Sequence, residues 1–211
     1  MQPDARLHLE LDDLGWKKQG GLLPVVVQDA DTLQVLMLGY MDREALQATL
    51  DTGLVTFYSR SRQRLWQKGE TSGHVLALAG IGPDCDGDAL LVLARPAGPT
   101  CHLGTASCFE TAPADALGTV ERLVARRERE RPQGSYTTGL FESGLRGMAQ
   151  KVGEEGVETA LAAVAQDDDA LLGEAADLLF HLLVLLRARG LSLQEVRAVL
   201  EQRRVAGTTN R

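Results

Sequence analysis

Three aspartates and a cysteine crowd into "DCDGD", residues 84–88, and two further cysteines follow in "GPTCHLGTASCF", at 101 and 108. Carboxylates this close repel one another unless a cation is shared between them, and their hard oxygens suit magnesium. Thiolates are softer and suit zinc. Cys85, Cys101 and Cys108 would supply three ligands and leave a fourth tetrahedral position open, as in a catalytic zinc rather than a structural one. In an extended segment Asp84, Asp86 and Asp88 project to one side and Cys85 to the other, which places a hard site and a soft site back to back. Spacing alone leaves a second reading open, a solvated acidic turn beside three buried, inert thiols. Two other chemistries are excluded. An EF-hand loop beginning at Asp84 needs Gly sixth and Glu twelfth, where Ala89 and Arg95 stand. The H-x-E with P-C-x-x-C pattern of zinc nucleobase deaminases is absent.

Upstream, "YSRSRQRLWQKGETSGH" gathers Arg60, Arg62, Arg64 and Lys68 in a chain of net charge −7. Arginine forks match phosphate oxygens. Ser59, Ser61, Thr71 and Ser72 add hydroxyls, while Gly69 and Gly73 allow close backbone approach. An exposed charged strand face would read the same way. His102, beside a possible zinc ligand, is a candidate proton shuttle or a structural histidine.

A second constellation lies in "KVGEEGVETALAAV" and "GEAADLLFHLLVLL". Glu155 and Glu158 stand three apart, as do Glu174 and Asp177, so each pair shares a helix face. Two antiparallel helices could aim the four carboxylates at one point and hold one or two Mg²⁺, with Glu154 able to join. Helical glutamates usually lie on a solvated face. Here the stretch from Leu171 to Leu186 is apolar nearly all round, which predicts a buried helix. Glu174, Asp177 and His181 share one stripe of it, where unpaired carboxylates are costly.

These residues need elements to position them. Residues 22–110 read as strands and turns: "LLPVVVQDADTLQVLMLGYM" as a hairpin turning at "DADT", then a short helix "REALQATLDTG", then strands in "LVTFYSRSR", "HVLALAGIGPD" and "ALLVLARP". From Pro113 the pattern turns helical, with stretches "LGTVERLVARRERER", "GLFESGLRGMAQKVGEEGVETALAAVAQ", "DALLGEAADLLFHLLVLLRARG" and "LSLQEVRAVLEQRR". Two domains are expected, α+β and mostly strands over residues 1–112, all-α over 113–211. The acidic balance gives no general basic field for nucleic acid. No apolar run has the length of a membrane span, and "MQPDARLHLELDDLGW" shows no signal-peptide pattern, so a cytoplasmic protein is expected. Three cysteines, an odd number, argue against a disulfide framework.

The motifs "VLMLGYMDREAL", "TGLVTFYSRSR", "LWQKGETSGH", "DCDGD" and "GPTCHLGTASCF" resemble, in order, those of phosphoribosyl-AMP cyclohydrolases of histidine biosynthesis. The resemblance implies zinc on Cys85, Cys101 and Cys108 and magnesium on Asp84, Asp86 and Asp88. It also implies substrate binding by Arg60, Arg62, Trp66, Lys68, Glu70, Thr71 and Ser72, with His102 catalytic. That family opens the adenine ring by adding water at C6, and it is dimeric, which implies a homodimer. Gly39, Asp42 and Leu103 depart from the familiar pattern, which has Ala, Asn and Thr there; none is a metal ligand.

Residues 115–204 resemble phosphoribosyl-ATP pyrophosphatases through "SYTTGL", "KVGEEGVE", "EAADLLFHLLVLL" and "LSLQEVRAVLEQR". This implies Mg²⁺ on Glu154, Glu155, Glu158, Glu174 and Asp177, with Glu155 and Glu158 catalytic. Lys151 is a candidate phosphate ligand and ATP a part of the substrate bound. The product of the second half is the substrate of the first, so the expected protein is a bifunctional hydrolase. A chain with one active half, or a metal-binding scaffold without catalysis, would share these residues.

Overall fold

The structure, a computed structural model, describes residues 11–208. Most of the acidic start read above lies outside them. The chain divides into two compact units, one ending at Asp115 and the other beginning at Ala116.

In the first unit, β1 (Leu23–Asp29) buries Leu23, Val25 and Val27 on one face, the period-two alternation of a half-buried strand. It ends at Asp29, which is buried and accepts from the backbone N–H groups of Asp31 (2.9 Å) and Thr32 (3.1 Å). This side-chain turn reverses the chain into β2 (Val35–Met41), giving the expected antiparallel hairpin. Helix α1 (Arg43–Thr52) follows at once, because Asp42 caps it through a 2.7 Å bond from the Ala45 N–H. It stops at Gly53, whose left-handed φ of 69° suits glycine.

Strands β3 (Thr56–Ser59) and β4 (Arg64–Gln67) form a separate two-stranded ribbon that pairs Phe57 with Trp66. Strand β4 was not expected from sequence, because "RLWQ" carries no apolar alternation and lies inside a basic cluster. Strands β5 (Leu76–Pro83) and β6 (Leu90–Pro96) complete a four-stranded sheet ordered β2-β1-β6-β5, in which β1 and β6 run parallel. Leu36, Met41, Leu46, Phe57, Leu76, Leu90 and Val92 fill one core between the sheet, α1 and the ribbon.

The second unit contains α2 (Ala116–Glu130), α3 (Tyr136–Glu142), α4 (Gly144–Ala165), α5 (Asp168–Ala188) and α6 (Leu193–Thr208). The stretch read as one helix from residue 139 to 166 is broken between Ser143 and Gly144, where Gly144 takes φ 73°. Asp167 caps the start of α5, accepting from the Ala170 N–H at 2.9 Å. A small core of Val124, Leu140, Met148 and Val184 joins α2, α3, α4 and α5. The expectation that α5 is buried all round does not hold within one chain. His181, Leu183 and Val184 are buried, whereas Leu172 and Leu179 are exposed. The reason is geometric, since the packed helices cover one side of α5 and leave these two leucines bare. No helix among the described residues is long and apolar enough to cross a membrane.

Candidate active sites

The acidic loop joins β5 to β6. Residues 84–89 form a turn rather than the extended segment expected, because Gly87 adopts φ 73° and Asp84 Oδ1 folds back to accept from the N–H groups of Asp88 (3.0 Å) and Ala89 (3.2 Å). The turn nevertheless gathers Asp84, Asp86 and Asp88 so that one oxygen from each lies within 4.8 Å of the others. Hard oxygen donors so placed fit a divalent cation. A segment preceding β1 lies against this loop: the Gly15 N–H bonds the Gly87 carbonyl at 2.7 Å, Lys18 Nζ reaches Asp86 Oδ2 at 2.9 Å and Gln19 Nε2 reaches Asp88 Oδ2 at 3.3 Å. The Lys18 contact holds the Asp86 carboxyl below its ordinary pKa, first through the hydrogen bond and then through charge.

The thiols divide. Cys101 and Cys108 sit together in the loop after β6, where the Leu103 backbone, then Thr105, then Cys108 hold the Cys101 thiol below its usual pKa. Desolvation, and then the charge of Cys101, pushes Cys108 up. Two thiols so placed fit a soft cation. Cys85 is exposed in the acidic loop and forms no cluster with the other two among the described residues. The back-to-back arrangement of a three-thiol site and an acidic site is therefore absent from a single chain, because the turn at Gly87 removes the strand geometry on which it depended.

Cys101, His102 and Cys108 border a cleft of about 710 Å³. From the ribbon and the loop after it come Arg62, Trp66, Lys68, Glu70, Thr71 and Ser72, so six of the seven expected substrate-binding residues line the same space. Lys68, the residue after β4, is buried and lines the cleft. Arg60 is the exception. Its guanidinium lies 3.8 Å from the centre of the Tyr40 ring and borders a neighbouring cleft of about 340 Å³. Arg64 pairs with Glu70 at 3.2 Å.

His74 and Thr100 also line the cleft. His74 closes the "GETSGH" run, and its ring packs so closely on Gly98 that a Cβ there would lie 2.6 Å from Cδ2. The glycine-rich run before His74 was its only sequence signal. Thr100 is 2% exposed, and its hydroxyl has no hydrogen-bond partner, directly beside Cys101. The departure at Gly39 also has a structural reason, because a Cβ there would stand 2.5 Å from the Phe57 ring. Phe57 in turn packs on Trp66, ring centres 5.8 Å apart, in the cleft wall.

In the second unit, Glu155 and Glu158 on α4 and Glu174 on α5 each place a carboxylate oxygen within 4.8 Å of the others. Burial, then the charges of Glu158, Glu155 and Asp177, pushes the Glu174 carboxyl up. A shared divalent cation would remove that repulsion, so the donor set fits one. Asp177 contributes to this field but lies outside the tight group, and Glu154 turns away to Gln150 (2.7 Å) and Lys151 (3.0 Å). Lys151 also reaches Glu155 Oε1 at 3.0 Å, so this lysine serves the carboxylates here. His181, on the same α5 stripe, is 4% exposed and was not among the expected site residues.

A strand-rich unit with a thiol-bordered cleft and a helical unit with converged carboxylates define a two-module hydrolase. The first module matches the model of the phosphoribosyl-AMP cyclohydrolase family over residues 37–110, and the second that of the phosphoribosyl-ATP pyrophosphohydrolase family over residues 117–204. The chain is 69% identical to the histidine biosynthesis bifunctional protein HisIE of Xylella fastidiosa strain Temecula1 over 199 residues, 94% of this chain and 97% of that one. To the protein of the same name from Escherichia coli K12 it is 56% identical over 193 residues, 90% and 95% of the two chains. The chain belongs to this family of bifunctional histidine-biosynthesis proteins.

Proposed function

We propose that the helical unit hydrolyses phosphoribosyl-ATP to phosphoribosyl-AMP and pyrophosphate, and that the strand-rich unit opens the adenine ring of phosphoribosyl-AMP at the N1–C6 bond. The observation that carries the reading is the convergence of Glu155, Glu158 and Glu174 within 4.8 Å across two helices, in a chain whose other half supplies the thiol cleft. Mg²⁺ on these three carboxylates, with Asp177 adding to the field, would neutralise the triphosphate and position water. Glu155 and Glu158 are the groups able to accept the proton of the attacking water.

In the first unit, Cys101 and Cys108 would hold Zn²⁺, which would supply a bound water with its pKa lowered toward about 7. Mg²⁺ belongs on Asp84, Asp86 and Asp88. Cys85 would join these ligands from a second copy of the chain, so we assign the protein as a homodimer in which each cleft borrows that thiol. Exposed Val157, Leu161 and Val164, one stripe of α4, together with Leu172 and Leu179 of α5, offer the apolar face such an assembly would cover. Within the cleft, Arg62 and Lys68 hold the phosphate, Trp66 supplies a face for the base, and His102 moves the proton to the opening ring. Glu70, Thr71 and Ser72 orient the ribose and phosphate. We place the protein in the cytoplasm.

The test is to supply phosphoribosyl-ATP to the purified protein with Mg²⁺ and Zn²⁺. Pyrophosphate should appear first and the absorbance of the opened imidazole product should follow. Pyrophosphate without ring opening would leave one active half, and neither signal would leave a scaffold.

A further inference from the structure

Glu155 is 5% exposed, and a buried carboxylate is costly unless its oxygens are held. Lys151, one turn back on the same helix, holds Oε1 at 3.0 Å. The second contact comes from α5, where His181 Nδ1 lies 3.5 Å from the same oxygen. That nitrogen also lies 2.9 Å from the Asp177 carbonyl. A carbonyl can only accept, so Nδ1 carries a proton. The Tyr136 hydroxyl lies 2.8 Å from Nε2 and shares a hydrogen bond with it. Tyr136 is the first residue of α3, and its ring stacks on Phe180 with centres 6.2 Å apart. The network thus ties α3 to α5 and α5 to α4, the two helices that carry the carboxylate cluster.

Resting on the pyrophosphohydrolase reading, we infer that His181 is a positioning residue that fixes Glu155 for metal, and that Tyr136 is the group that fixes His181. Without His181 the Glu155 carboxylate keeps its lysine, which belongs to its own helix, and loses its imidazole contact from α5. Groups that orient metal ligands change metal affinity by about 10- to 100-fold when removed. Tyr136 acts one step further out, so its share is smaller.

The test uses the full chain with Mn²⁺ alone, binding to the helical unit isolated by Asp84→Asn/Asp86→Asn in every protein and followed by paramagnetic resonance. In that background His181→Leu should weaken Mn²⁺ binding about tenfold. Tyr136→Phe, which removes only the hydroxyl and leaves the fold intact, should weaken it about threefold. The double variant should bind no more weakly than His181→Leu, because the hydroxyl acts only through the imidazole. In the otherwise wild-type chain, Tyr136→Phe should lower kcat for pyrophosphate release with little change in KM. Mn²⁺ affinity unchanged in both variants, or losses that add in the double variant, would overturn the inference while leaving the metal reading intact. No Mn²⁺ binding by the Asp84→Asn/Asp86→Asn background itself would overturn both.

Discussion

Cys101 and Cys108 are the same chemical group in one loop, yet their surroundings drive their acidities apart. Backbone and hydroxyl donors stabilise the Cys101 thiolate, while desolvation and the Cys101 charge oppose ionisation at Cys108. Only the thiolate is nucleophilic, so iodoacetamide should label Cys101 of the metal-stripped protein at a lower pH than Cys108, read by peptide mass spectrometry. Cys101→Ala should abolish ring opening, so that phosphoribosyl-AMP accumulates from phosphoribosyl-ATP while pyrophosphate release continues. The Glu174 carboxyl has the opposite problem, being pushed up by burial and three like charges. A carboxyl whose folded pKa is raised binds more protons folded than unfolded, so it favours folding at low pH and this contribution is lost as pH rises through that pKa. The Glu174 contribution to the stability of the metal-free helical unit, read as the difference from Glu174→Gln, should therefore fall with rising pH across the carboxylate range, and added Mg²⁺ should reverse the fall in a melting experiment. Glu158→Gln removes one charge, and it should flatten that dependence as well as stop pyrophosphate release.

Elements fix these residues by close approach as much as by pattern. Gly39 on β2 is read from sequence only as a departure from an alanine; the packing shows that Phe57 occupies the volume a methyl group would need. Gly39→Ala should cost about 1–3 kcal/mol in a denaturant titration, the range for overfilling a packed core. It should also perturb Trp66 fluorescence, because Phe57 supports that ring. Asp42 departs from asparagine without penalty, since either side chain caps α1 well. The break at Gly144 separates α3 from α4 and lets α3 bring Tyr136 against His181. Apolar periodicity alone runs through this break, because leucines flank it on both sides.

For the whole molecule, two separate cores imply two separable folding units. Expressed alone, residues 1–115 should keep ring opening and residues 116–211 should keep pyrophosphate release. Neither fragment should need the other in the assay. Leu161 is exposed on α4 although it belongs to an apolar stripe. Leu161→Glu should shift the full chain from dimer toward monomer in light scattering, while a chain that is monomeric from the start would remove the assembly argument.

The amino-acid sequence by itself determined the change from strands to helices, the β1–β2 hairpin, the caps of α1 and α5, and the pairs Glu155/Glu158 and Glu174/Asp177 as neighbours on a helix face. All of these follow from local periodicity or a side chain reaching its own backbone. Which groups meet across elements was decided only by tertiary structure: Glu155 and Glu158 with Glu174, Cys101 with Cys108 but not Cys85, His74 against Gly98, and Tyr136 with His181. Such meetings depend on a turn at one glycine or the crossing of two helices. Spacing along a chain does not specify a distance through space.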